Sequence, residues 1–240
     1  MELTGVAQYV RESGAHPPLA SPEYGSSALR VPSQPLVSLS HRLTEVTGPL
    51  LGDSRVRDGD ADLTRPGQGE AIGQRIVVAG QVRDSDGRPV PHTLVEVWQA
   101  NAAGRYAHER DTWPAPLDPH FIGVGRAMTG GDGRYCFTTI RPGAYPWGNH
   151  HNAWRPAHIH FSLFGRAFTQ RLVTQMYFPD DPLAAYDPIL LSVPASSRGR
   201  LVSRFSLDAT QPGWALAYEW DIVLRGTGAT PLAPARQHSA

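Results

Sequence analysis

The sequence has no lysine, only one cysteine and no net charge. Its 22 basic residues, all arginine, are balanced by 22 acidic residues without any basic cluster, so no nucleic-acid partner is predicted. Cys136 cannot form a disulfide within the chain, and its position in RYCFTTI predicts a buried packing role. No signal sequence and no apolar run long enough to cross a membrane are present, which predicts a soluble, cytoplasmic protein with no membrane partner.

Long helical patterns are also scarce, because 24 Gly and 22 Pro divide the 240 residues into short segments. Asp86-Gly87 predicts a hairpin-type turn between the first two candidate strands, and ASSRGRLVSRF is a weak candidate helix. Strands are predicted in RIVVAGQVRD, HTLVEVWQAN, VGRAMT, RYCFTTIRPG, PAHIHFSLFG, QRLVTQMYF and AYEWDIVLRG. The pattern predicts an all-β protein, a two-sheet β-sandwich with long loops.

A single domain with two flanking extensions accounts for the chain. Residues 1–70 are polar, Pro-rich and irregular, which predicts an extended N-terminal arm, and residues 227–240 are predicted to form a loose tail. Residues 71–226 then form the β-sandwich core. Since the arm cannot bury enough apolar surface by itself, it is expected to pack on a partner chain.

The segment WRPAHIHF places two histidines one residue apart. On a strand, His158 and His160 project from one face while Ile159 and Phe161 project from the other, so the two imidazoles could share a metal ion or could simply be hydrogen-bonded side chains. Tyr145, which is followed by a proline, and Tyr106, which follows a strand, could point into the same space. Two phenols with two imidazoles would suit ferric iron better than zinc or copper(I).

The motifs GRY, AYPW and WRPAHIHF, behind the strand PVPHTLVEVWQAN, resemble the intradiol ring-cleaving dioxygenases, and within them the branch that acts on protocatechuate. The resemblance extends from about Glu23 to Arg225. It implies one non-haem Fe(3+) per chain, bound by Tyr106, Tyr145, His158 and His160. It also implies catalytic roles for Arg155, Tyr145 and Gln175, and a substrate pocket formed by Tyr24, Arg30, Trp98, Trp147 and Ile189.

The same resemblance implies an activity and a partner. The expected reaction is cleavage of 3,4-dihydroxybenzoate with O2 to 3-carboxy-cis,cis-muconate, a step of aromatic catabolism in the β-ketoadipate pathway. The expected partner is a homologous α chain that lacks the iron ligands, forming an α/β protomer that assembles into a higher oligomer.

Several alternatives stay open at this level. Gly148 stands where relatives often have an arginine, which removes one positive charge near a substrate carboxylate, although the lack of a long helical N-terminal region argues against catechol or hydroxyquinol as substrate. Trp98 could be a packing residue of its strand. A binding module without catalysis, or a protein with a structural metal, could share the same sandwich.

Overall fold

Two β-sheets packed face to face form the body of the protein. The computed structural model describes residues 14–29, 31–34, 55–64, 69–148, 153–164 and 171–232. In one sheet β1 pairs with β4, β10 and β11, and β9 pairs with β10. The second sheet has the order β3-β2-β7-β8. The first sheet contains β1 (Arg75–Arg83), β4 (Arg134–Ile140), β9 (Arg204–Gln211), β10 (Ala215–Glu219) and β11 (Ile222–Val223), and the second contains β2 (Leu94–Trp98), β3 (Val124–Met128), β7 (His158–Phe164) and β8 (Arg171–Tyr177). The predicted two-sheet sandwich is confirmed.

A short ribbon lies outside the two large sheets and bears on the site. Its strands are β5 (Tyr145–Trp147) and β6 (Ala153–Arg155), paired so that Tyr145 lies opposite Arg155 and Trp147 opposite Ala153. The ribbon thus places one phenol and one guanidinium of the predicted site side by side.

The core is filled by alternate residues of strands from both sheets. Ile76, Val78 and Phe137 from the first sheet join Ile159 and Phe161 from the second in one apolar cluster. Phe161 also packs edge-on against neighbouring aromatic rings, which favours a fixed arrangement of the core. Burial of this apolar surface is the main force that holds the two sheets together.

The Asp86-Gly87 turn forms, but it does not join neighbouring strands. Gly87 has φ of 79°, and Arg83 pairs with Pro89 across the turn. Beyond this short bridge the chain crosses from one sheet to the other, since β1 pairs with β4, β10 and β11 while β2 pairs with β3 and β7. The local signal predicted the turn correctly but could not specify the partner of each strand.

The helix predicted in ASSRGRLVSRF is much shorter than the pattern indicates. Helix α1 (Pro188–Leu191) precedes it, and α2 (Ala195–Arg198) is followed by a 3-10 turn, Gly199–Leu201. The chain then enters β9 at Arg204, a strand that the sequence reasoning missed. Further 3-10 turns cover Gly25–Leu29 and Pro182–Tyr186. Within the described ranges, no helix is long and apolar enough to cross a lipid bilayer.

Parts of the arm and the tail pack on the sandwich. Leu63 is buried in the core cluster and its N–H bonds to the carbonyl of Thr138 on β4. Leu232 packs against the same cluster, and its N–H donates to Nδ1 of the buried His16 at 3.2 Å. Residues from both extensions therefore belong to the fold of this chain.

Cys136 does not take the predicted packing role. It is exposed, because the alternation of β4 turns Tyr135 and Phe137 into the core and Cys136 outward. Partial burial of the thiol still raises its pKa above the usual value.

Candidate metal centre and substrate site

Strand β7 lies at the centre of its sheet and is buried on both faces. Ile159 and Phe161 enter the core between the sheets, whereas His158 and His160 face the other side and are only 2% exposed each. Loops and the β5–β6 ribbon cover this second face. The two imidazole rings meet edge to face with centroids 4.8 Å apart.

The structure brings both tyrosines to the two histidines. The hydroxyl of Tyr145, on β5, lies 3.3 Å from Nε2 of His158 and 3.5 Å from the hydroxyl of Tyr106. The Tyr106 ring lies 6.4 Å from the ring of His160, measured between centroids. Four side chains from three separate parts of the chain thus converge as an O,O,N,N donor set.

Backbone and aromatic contacts orient the two imidazoles. Nδ1 of His158 lies 2.7 Å from the carbonyl oxygen of Pro156. Because a carbonyl only accepts, Nδ1 bears the proton and Nε2 presents its lone pair towards the phenols, an arrangement typical of metal-binding histidines. His160 stacks on Trp98 of β2, with centroids 4.8 Å apart and planes 1° from parallel. Trp98 therefore packs on His160 whether or not it also contacts substrate.

Beside this centre lies a fully buried polar cluster formed by Arg155, Gln175, Tyr177 and Asp187. Nη2 of Arg155 donates to Oε1 of Gln175 at 2.6 Å and to the hydroxyl of Tyr177 at 3.0 Å. Asp187 forms the counter-ion, with Oδ1 2.9 Å from Nε of Arg155. Neither charged side chain has any exposed surface, so Arg155 and Asp187 form a buried ion pair.

Sequence reasoning identified Arg155 and Gln175 but missed the other two members. Asp187 gave a usable signal, because an Asp followed by Pro and then apolar residues, as in DPILL, is typical of a helix N-terminus. Tyr177 also gave a signal, because it lies two residues after Gln175 in a predicted strand, and side chains two apart on a strand leave by the same face. Strand pairing then places Tyr177 in register with His158.

The charges of this cluster are well defined near neutral pH. Burial by itself would lower the pKa of Arg155, but the neighbouring Tyr177 and Asp187 outweigh it and raise that pKa. Burial raises the pKa of Tyr177 well above its usual value, and the Asp187 carboxylate raises it further. The guanidinium is therefore charged and the phenol of Tyr177 protonated.

Most of the predicted pocket residues also come together. Tyr24 from the arm, Trp147 and Ile189 form one buried cluster with Ala153. The rings of Tyr24 and Trp147 lie 4.9 Å apart, and the guanidinium of Arg155 lies 5.9 Å from the Trp147 ring centroid. Arg30 lies outside the described residues. No atom of the described residues lies within 4 Å of a Cβ added at Gly148, so this part of the structure leaves room for a side chain there.

Comparison with known proteins identifies the family. The family model described as "Dioxygenase" matches residues 46–226, and that described as "Protocatechuate 3,4-dioxygenase beta subunit N terminal" matches residues 9–42. The chain belongs to the intradiol ring-cleaving dioxygenases, and the predicted enzyme class is confirmed. The protocatechuate 3,4-dioxygenase beta chain of Burkholderia cepacia is 58% identical to it over 224 residues, covering 92% of this chain and 95% of that protein.

Two further relatives extend the comparison. The protocatechuate 3,4-dioxygenase alpha chain of Burkholderia cepacia is 33% identical over 67% of this chain and 77% of its own length. The crystal structure of 3-chlorocatechol 1,2-dioxygenase from Rhodococcus opacus 1CP superposes with a TM-score of 0.53 at 23% identity, covering 70% of this chain and 65% of that one. The second likeness supports the fold alone.

The donor chemistry at the centre fits the metal of this family. Intradiol dioxygenases use non-haem iron. In the part of the chain that the structure describes, no group of three or more His, Cys, Asp or Glu side chains could hold a metal ion. A set of two phenols and two imidazoles instead suits a hard trivalent cation such as Fe(3+).

Proposed function

We propose that this chain is the iron-binding β subunit of a protocatechuate 3,4-dioxygenase. The reaction breaks the C3–C4 bond of 3,4-dihydroxybenzoate and incorporates both atoms of O2, giving 3-carboxy-cis,cis-muconate. The observation that carries the proposal is the 58% identity to a protocatechuate 3,4-dioxygenase beta chain over 92% of this chain. The match of residues 9–42 to the N-terminal model of the same subunit supports it independently.

In this proposal Tyr106, Tyr145, His158 and His160 hold one Fe(3+). The convergence of the four side chains and the fixed orientation of His158 support the assignment. When bound, ferric iron supplies a Lewis acid that withdraws electron density from a chelated catechol and makes its ring reactive towards O2.

The protons of the substrate need acceptors within the site. A catechol that binds through both oxygens would lose two protons; in our proposal the Oη atom of Tyr145, as a phenolate, would accept one and a solvent hydroxide would accept the other. Tyr145 suits this role because it stands on a short ribbon outside the two large sheets and its hydroxyl lies 3.3 Å from Nε2 of His158, within the donor set. The same side chain would thus act as ligand and as base.

Arg155 is the proposed electrostatic partner of the reacting ring. Its charge is permanent and fully buried, so it acts in a medium of low polarity where a fixed charge has a large effect on developing negative charge. Gln175 holds one side of the guanidinium through the bond from Nη2. Both residues therefore belong to the proposed catalytic set.

The aromatic and apolar cluster next to Arg155 is the proposed substrate pocket. Trp147 and Ile189 form walls for a planar ring, and the hydroxyl of Tyr24 would bind the substrate carboxylate. Arg30 is the proposed second contact to that carboxylate. Trp98 would contribute through its stack on His160.

We also propose that the chain works with a homologous α chain in an α/β protomer that assembles further. The proposal is supported by two relatives from Burkholderia cepacia, a protocatechuate 3,4-dioxygenase beta chain and an alpha chain, which are both similar to this chain. In this arrangement residues 1–70 form an arm that packs partly on the partner, residues 71–226 form the catalytic sandwich, and residues 227–240 form the tail.

Co-expression with the cognate α chain, followed by two measurements, tests the proposal. A visible absorption band from tyrosinate-to-Fe(3+) charge transfer and about one iron per β chain are expected, together with O2 uptake that is much faster with 3,4-dihydroxybenzoate than with catechol or hydroxyquinol. A colourless protein would contradict the iron assignment. Faster uptake with catechol would contradict the substrate assignment while leaving the family unchanged.

A further inference from the structure

Asp187 contacts two members of the buried cluster, Arg155 and Tyr177, and so does more than neutralise the charge of Arg155. Its Oδ1 atom lies 2.9 Å from Nε of Arg155, and its Oδ2 atom accepts from Nη2 of Arg155 at 3.2 Å and from the hydroxyl of Tyr177 at 2.9 Å. One carboxylate thus lies along the Nε–Nη2 edge of the guanidinium and accepts from the phenol beside it. A carboxylate in this position restrains the rotation of a guanidinium as well as its position.

The same carboxylate begins helix α1. Asp187 is its N-cap, and its two oxygens accept from the N–H groups of Ile189 at 3.3 Å and Leu190 at 3.4 Å. Ile189 in turn packs in the cluster with Tyr24 and Trp147. The side chain of Asp187 therefore contacts both Ile189, in the proposed pocket wall, and Arg155, the proposed catalytic charge.

One end of the guanidinium has no hydrogen-bond partner among the described residues. The two N–H groups of Nη2 have three acceptors within hydrogen-bond distance, on Gln175, Tyr177 and Asp187. Nε lies at ion-pair distance from Asp187, although its N–H does not point at the oxygen. Nη1 is buried and makes no hydrogen bond to the described residues. In a planar guanidinium Nη1 lies on the far side of Cζ from a carboxylate that pairs with Nε and Nη2. An unbonded charged donor inside a protein is costly unless a ligand uses it.

We propose that Asp187 is a positioning residue for the ring-cleavage reaction, which fixes the Arg155 guanidinium against the Ile189 wall so that Nη1 is directed at bound substrate. The inference rests on the proposed function, since it concerns the charge that faces the reacting ring. Asp187 acts through Arg155 and does not itself contact substrate.

The variant Asp187→Asn keeps the size of the side chain and one capping oxygen but removes the negative charge. In the iron-loaded holoenzyme we expect kcat per bound iron to fall about 10- to 100-fold, with little change in KM, as is usual when a residue that supports an active-site group is altered. A crystal structure of the variant should show the guanidinium displaced or rotated. The inference is overturned by an unchanged kcat per iron, or by a loss of activity that only follows a loss of iron.

Asp221→Asn is the matched control. Asp221 also pairs with an arginine, Arg83, at 3.2 Å and accepts the N–H of Gln81 at 2.9 Å, but it lies between β10 and β11, outside the site. Its replacement also removes an Asp–Arg ion pair, although one that is exposed to solvent, and should leave kcat, KM and iron content unchanged. A comparable loss of kcat in both variants would show that any lost ion pair has this effect, which contradicts a special role for Asp187.

A second comparison covers the possibility that Asp187→Asn leaves a buried charge uncompensated and does not fold. In the background Arg155→Gln, adding Asp187→Asn should cause no further loss of kcat, because a residue that acts through Arg155 has nothing left to position. A further tenfold loss would overturn the inference. The wild type is assayed alongside: if it cleaves no dihydroxybenzene, the proposed function fails, whereas the guanidinium position in the Asp187→Asn crystal still decides the inference.

Discussion

Gly104 offers a direct test of how the backbone brings the two tyrosines together. It lies two residues before Tyr106 and has φ of +77°. Its Cα faces the chain just before Tyr145, so that a Cβ added there would lie 2.1 Å from the carbonyl oxygen of Ala144 and 3.3 Å from Cβ of Tyr145. Gly104→Ala should therefore push the two tyrosine-bearing segments apart.

The size of the effect follows from two contributions. The left-handed backbone conformation costs about 1–2 kcal/mol with any side chain. The steric contribution is specific to the site: a Cβ essentially never approaches another atom within 3.0 Å, so the carbonyl must retreat by about 0.9 Å, the difference between 3.0 and 2.1 Å. A misplacement of about 1 Å in a catalytic arrangement can lower the rate about 100-fold. We expect losses of that order in kcat/KM, with weaker iron binding.

Gly87→Ala is the matched control for this variant. Gly87 has φ of +79°, and no atom of the residues that the structure describes lies within 4 Å of a Cβ added there, so its replacement brings the backbone cost without the steric one. Urea unfolding measures the free energy of unfolding of both variants, and the charge-transfer band, metal analysis and O2 uptake measure the centre. Both should lose stability, but only Gly104→Ala should lose iron affinity and activity. Equal behaviour of the two variants in all four measurements would refute the reasoning.

Three other predictions concern the centre and the core. Tyr145→Phe should slow substrate binding in stopped-flow experiments more than it reduces iron retention, whereas equal losses would contradict the role of Tyr145 as proton acceptor. Removing iron with a chelator should abolish the visible band and O2 uptake, and Fe(3+) but not Zn(2+) should restore both; recovery with zinc would exclude the proposed chemistry. Burial, followed by Asp221 and Cys136, raises the pKa of Tyr135 well above its usual value. Since the folded state then retains a proton that the unfolded state loses near pH 10, the free energy of unfolding should fall above about pH 10. Tyr135→Phe should flatten that decline but cost about 1–3 kcal/mol at pH 7, because the Trp220 carbonyl loses its 2.6 Å hydrogen bond. An unchanged decline in urea unfolding would show that other groups cause it.

Much of the sandwich could be predicted from the sequence, because strand periodicity is local. The alternation in WRPAHIHF separates His158 and His160 from Ile159 and Phe161, and the structure has these pairs on opposite faces of β7. The same alternation was misjudged at Cys136, where the apolar composition of the segment outweighed its period of two. β9 was missed although Phe205 and Leu207 alternate with polar residues, because its first two residues were assigned to the predicted helix ASSRGRLVSRF.

What the sequence by itself determined is the set of strands, the histidine pair and, through motif resemblance, the family and most of the site residues. Only the tertiary structure decided which strands share a sheet, that the backbone at Gly104 meets Ala144, and that Asp187 and Tyr177 surround Arg155. Arg155 and Asp187 are separated by 32 residues along the chain. Contacts of that kind depend on strand pairing and on the burial of charge, and neither leaves a periodic pattern in the sequence.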